Sequence, residues 1–198
     1  MMAARRSSLS ASPTGLTPSA GLTPSVGLTP SPPPVSSAST EARLKVVSFD
    51  EGHCLGHYGM VLICVWRKAP TLRNLDVVRR AAEEVLAEYP GGVGNLGVAE
   101  KGMPLMGASE REAASKLFSE FAPMIRFSAI TIEGDGFWSS STRSVVTAIS
   151  VIARVPFPVR SFRYVSDAAA WQARFPGAPS SFALTEAVER CRAKMDPR

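Results

Sequence analysis

Histidine and cysteine are scarce in this chain, and the shortage removes most of the chemistry that depends on them. The 198 residues include two histidines, His53 and His57, and three cysteines, Cys54, Cys64 and Cys191. An odd, sparse cysteine set argues against a disulfide framework and suits a reducing compartment. One local grouping has metal-ligand chemistry: His53-Cys54-Leu55-Gly56-His57. A tetrahedral site needs further ligands, yet no other histidine occurs and Cys64 lies inside an apolar run. Adjacent residues on a strand or turn point apart, so Cys54 makes no nucleophile–base pair with either histidine. No metal site, no cofactor and no catalytic residue are expected.

Long hydrophobic runs are also missing. None approaches the ~20 apolar residues of a membrane span, and the N-terminus has no apolar stretch of the secretory kind. Arg5-Arg6 without such a stretch is not a usable twin-arginine signal. The expectation is a cytoplasmic protein without stable membrane insertion. Acid is absent from the first forty residues, which hold Arg5 and Arg6 and share their Ser-rich, acid-free composition with organellar transit peptides. Proline-rich repeats there oppose an amphipathic helix. The net charge of +5 leaves a mixed surface over the remaining 158 residues. That is not the clustered Lys and Arg of a nucleic-acid interface.

What the tail does contain is a repeat. Gly15-Leu-Thr-Pro-Ser19 recurs from Gly21 and from Gly27 with a period of six residues, and Pro32-Pro33-Pro34 follows. Such composition cannot bury enough surface to offset chain entropy, so residues 1–41 are expected to be a disordered tail. The plain reading is a solvated spacer. The sharper one is a multivalent docking tail with Leu16, Leu22 and Leu28 as anchors.

A domain is expected over residues 42–198. Residues 44–49 read as a strand, 51–58 as a glycine-rich turn, and 60–66 (MVLICVW) as a central strand covered on both faces. Pro70 and Thr71 open a helix to about residue 88, with Leu72, Leu75, Val78, Val85, Leu86 and Tyr89 on its apolar stripe. Residues 93–99 form the next strand, and Ser109-Glu110-Arg111-Glu112 reads as a capping box opening a second helix. A strand over 124–132, a third helix over 138–154, an edge strand over 159–165, a short helix to about residue 175 and a final helix near 181–194 complete the chain. The first two strands can pair as an antiparallel hairpin, and the alternation of strands and helices afterwards calls for parallel pairing. The expected fold class is therefore α/β: a five-stranded mixed sheet flanked by four to five helices.

Two further groupings have plain explanations. The run Gly91-Gly92-Val93-Gly94-Asn95-Leu96-Gly97 lacks the Gly-Lys-Ser/Thr ending of a phosphate loop and enters a strand instead of leaving one. Glu133 and Asp135 flank Gly134 as turn residues do and have no evident acid–base partner.

The layout resembles the STAS (anti-sigma-factor antagonist-like) superfamily and the related Sec14-like lipid-binding fold. The resemblance covers about residues 42–175. It is carried by the central strand and the Pro70–Leu72 helix start, by Glu133-Gly-Asp-Gly-Phe137, and by the run from Arg160 to Trp171. It implies a non-enzymatic interaction or regulatory module with a protein partner. Phosphorylatable members carry Asp-Ser or Asp-Thr at the start of the second helix. This chain has Gly107-Ala108-Ser109, which leaves Ser109 as the candidate phosphoswitch. Met103, Leu105 and Met106, with Phe137 and Trp138, mark the expected partner-binding region, since methionine repacks readily against varied surfaces. The alternative is a Sec14-like cleft holding a lipid or other small apolar molecule.

Overall fold

The computed structural model describes residues 43–134 and 156–196. The repeat tail, the third helix expected over 138–154, and Phe137 and Trp138 lie outside the described residues. Six strands form one mixed sheet in sequential order: β1 Leu44–Asp50, β2 His53–Tyr58, β3 Val61–Trp66, β4 Val93–Ala99, β5 Ile125–Ile132 and β6 Val159–Phe162. β1, β2 and β3 pair antiparallel, and β3 to β6 pair parallel. The sheet therefore has six strands where five were expected. The extra one is β2, which occupies the segment read as a turn.

Its glycines explain both the strand and the misreading. A side chain at Gly56 would place Cβ 2.4 Å from the Lys45 carbonyl oxygen, so this strand position requires glycine for close backbone approach. The partner β1 changes register between Val46 and Ser48 opposite it. Gly59, at φ 55°, then turns the chain into β3 through a two-residue loop. Because β2 intervenes, β1 is the outer strand and the apolar run sits third of six.

Four helices accompany the sheet among the described residues: α1 Leu72–Glu88, α2 Ala108–Phe121, α3 Val165–Gln172 and α4 Ser181–Met195. Each of the connections β3–α1–β4 and β4–α2–β5 advances one strand in the same direction, so right-handed crossovers put α1 and α2 on one face. Alternate β3 residues serve the two faces. Leu62 and Cys64 pack with Ala82, Val85 and Leu117 beneath α1 and α2. Val61, Ile63 and Val65 pack with Leu96, Leu184 and Val188 beneath α3 and α4. Burial on both sides is the reason for an unbroken apolar run, and each such side chain contributes roughly 1.5–3 kcal/mol of transfer free energy.

The helix starts differ in how they are held. Thr71 caps α1: its hydroxyl accepts from the Asn74 amide, and the Asn74 side chain accepts from the Thr71 amide. Leu72, placed on the apolar stripe from the sequence, is exposed. At α2 no capping box forms. Gly107 occupies the N-cap without a side-chain bond, and Ser109 falls inside the first turn, donating to Glu110 Oε2 at 2.9 Å. The Glu110 carboxylate folds back to within 2.4 Å of where a Gly107 Cβ would stand, so a side chain there would displace that flexible carboxylate.

Candidate functional site

The α3/α4 face is filled by aromatic rings. Phe127 stacks on Phe175 at 4.3 Å between centroids and meets Trp171 edge-on at 6.4 Å. Gln172 is buried and donates to the Asn95 carbonyl at 2.6 Å. Among the described residues the opposite face is not filled. Between α1, α2 and the sheet lies a cavity of about 260 Å³.

Its floor is made by side chains that alternate along the strands: Cys64 and Trp66 of β3, Asn95, Gly97 and Ala99 of β4, and Ile130 and Ile132 of β5. Leu75, Val78 and Ala82 of α1 form one wall, and Ala114, Leu117 and Phe118 of α2 form the other. Gly97 is the decisive floor residue. A Cβ there would meet nothing within 4 Å, so the strand offers open space where a side chain would normally stand. Gly94, three residues earlier, faces the other layer, and a Cβ on it would lie 2.2 Å from the Phe127 ring. One glycine makes room for a core ring; the other leaves a void.

The cavity extends to the carboxyl ends of the parallel strands, where Trp66, Ala99 and Ile132 end β3, β4 and β5. Open α/β sheets bind ligands there, because the helices and loops that follow the strands leave a crevice. Met103, Leu105 and Met106 line that end of the cavity. Met103 is buried against Ala99 and Ile132, whereas Leu105 is 49% exposed. The structure thus brings three of the five expected partner-binding residues to one place, and the other two, Phe137 and Trp138, fall outside the described residues.

Polar lining is sparse. Asn95 Nδ2 donates to Ser128 Oγ at 2.9 Å. Arg111 Nη1 donates to the Met106 carbonyl at 2.9 Å, which fastens the loop to the first turns of α2. Cys64 is a floor residue, and burial, with Cys54 nearby, pushes its thiol up to about 12. No carboxylate or imidazole lines the cavity among the described residues.

No family model matches the chain, and no curated protein or solved structure matches it.

The other residues singled out from the sequence are dispersed. Ser109 is exposed on the first turn of α2; a phosphate there would meet backbone amides but also the neighbouring Glu110 carboxylate. Glu133 pairs with Arg192. Arg192 also meets Glu100, which accepts from Arg67 at 2.8 Å, so these charges tie α4 to the strand ends. Asp135 lies outside the described residues. His53 and His57 share one face of β2 but serve different neighbours. His53 stacks on Trp66 at 5.7 Å and reaches Ser48 Oγ at 3.0 Å, while His57 Nδ1 bonds the Gly59 carbonyl. Cys54 points to the opposite layer beside Cys191, and all three thiols are buried. No described helix is long and apolar enough to cross a membrane.

Proposed function

We propose that the chain is a non-enzymatic binding module that holds an apolar small molecule between α1, α2 and the sheet. One observation carries this reading: the cavity of about 260 Å³ under Gly97, lined almost wholly by apolar side chains. A dry apolar cavity of about 150 Å³ takes up benzene. Scaling by volume gives room for roughly ten non-hydrogen atoms, the size of a medium-chain acyl group. Burying seven carbons at ~0.8 kcal/mol each gives ~5–6 kcal/mol, a Kd on the order of 100 µM. Arg111, at the loop end of the cavity, suits a carboxylate head on such a chain, because guanidinium offers several N–H donors.

The reading accords with the Sec14-like side of the resemblance: a mixed sheet with antiparallel strands first, a central parallel run and a binding cleft under helices. Docking of a protein partner at the same end is the second reading, favoured by the exposed Leu105.

Octanoate and octanol, titrated into the full chain and followed by Trp66 fluorescence and calorimetry, test the proposal. One equivalent should bind, octanoate more tightly than octanol, and Arg111→Gln should remove that preference. Organic extraction of freshly purified protein should release an apolar compound of similar size. Failure of both probes to bind at millimolar concentration, with nothing extracted, would refute the small-molecule reading.

A further inference from the structure

We infer that His57, Glu84 and Glu88 form a binding site for a divalent transition-metal ion, Zn²⁺ being the best chemical match. The site is separate from the cavity. Glu84 and Glu88 stand one turn apart on α1, and His57 lies on β2 beneath that helix. One imidazole nitrogen and one carboxylate oxygen from each glutamate all lie within 4.8 Å of one another.

The imidazole supplies the argument that acidic groups alone would not. His57 is 1% exposed. Its Nδ1 bonds the Gly59 carbonyl at 3.1 Å. A carbonyl only accepts, so Nδ1 carries a proton and Nε2 is the nitrogen left for an ion. Nε2 is buried and has no hydrogen-bond partner. This is the arrangement of a metal-ligating histidine: one nitrogen bonded to a backbone carbonyl that fixes tautomer and ring orientation, the other free for the ion. The two-residue turn at Gly59, which ends β2, supplies that carbonyl.

The donor set of one imidazole nitrogen and two carboxylate oxygens suits zinc, with water in the fourth position. Bonds of about 2.0–2.2 Å to a tetrahedral ion place donor atoms roughly 3.3–3.5 Å apart. The donor atoms lie within 4.8 Å of one another, and both glutamates are exposed on α1, where their side chains can rotate to close on an ion. Lys45, opposite His57 in the β1–β2 register, is the competing cation, for it forms an ion pair with Glu88. An ion at the site would take over that neutralisation and clip the β1–β2 edge of the sheet to α1.

The test uses the full chain, stripped with chelator, titrated with Zn²⁺ by calorimetry and with Co²⁺ by visible absorption. One equivalent of Zn²⁺ should bind at micromolar Kd and raise the melting temperature. Glu84→Gln with Glu88→Gln should weaken binding at least tenfold. Lys45→Met should tighten it several-fold, a direction that a purely structural ion pair would not produce. His57→Gln should abolish the intense Co²⁺ band of low coordination; if that variant does not fold, the surface variants decide. The inference is overturned if the wild type binds no Zn²⁺ at micromolar concentration, if the double glutamine variant binds unchanged, or if Lys45→Met weakens binding. None of these outcomes depends on the apolar cavity.

Discussion

Gly97→Val should stabilise this protein and abolish its ligand binding, although it introduces a branched side chain into the middle of a sheet. Valine adds three carbon atoms, and the Cβ position at Gly97 has no neighbour within 4 Å. Full burial of three carbons corresponds to about 2.4 kcal/mol, and replacing glycine within a strand adds ~0.5–1 kcal/mol by reducing unfolded-chain entropy. The new methyls touch only part of the cavity wall, so the transfer contribution is an upper bound. A net gain of ~1.5–3 kcal/mol is expected, or roughly 3–12 °C in melting temperature for a domain of this size. The added atoms occupy about a third of the space available to a ten-atom ligand, and the apparent Kd for octanoate should rise more than tenfold. Chemical denaturation and scanning calorimetry give the first quantity, and fluorescence titration the second. Destabilisation by valine, or unchanged octanoate binding, would refute the assignment of Gly97 to an open cavity floor.

Gly94→Ala should act with the opposite sign on the same strand, because its Cβ would collide with the Phe127 ring at 2.2 Å; a loss of ~1–3 kcal/mol or more in urea unfolding is expected. Cys64 should resist iodoacetamide at pH 8, since its thiol is pushed up to about 12 by burial first and by Cys54 second; mass spectrometry should find it alkylated only as the protein unfolds, and labelling at native rates would contradict its burial. Burial opposes ionisation of Asp50, but the Gly52 amide at 2.6 Å and His53 hold its carboxyl below the ordinary value. A lowered folded value means that the stabilisation is complete above the unfolded value of 3.8 and fades as pH falls below it. The urea midpoints of wild type and Asp50→Asn should therefore differ at neutral pH and converge as the pH falls below 3.8 and the folded carboxyl protonates; a constant gap would show that the Asp50 contribution is not its charge.

Much of the architecture follows from local rules. The apolar run of β3 announces burial on both faces, and Pro70, Thr71 and the apolar spacing along α1 mark a helix that forms where expected. The edge strand β6 is equally legible, though it ends at Phe162 and not at 165. β2 was not, because a glycine that lets two strands approach is spelled the same as a glycine that turns a chain. Ser109 followed by Glu112 reads as a cap, yet the N-cap of α2 lies two residues earlier, at Gly107, which makes no side-chain bond.

The candidate sites divide along the same line. Met103, Leu105 and Met106 stand out as an apolar loop in the sequence, and they do border the cavity. The cavity itself, and the convergence of His57 with Glu84 and Glu88, belong to the tertiary structure alone. Sequence patterning decides which side chains leave water, since that depends on periodicity and polarity along one segment. Whether those side chains then meet, or leave a space between them, depends on how far apart two helices settle over a shared sheet, and that distance is set by residues remote from one another in the chain.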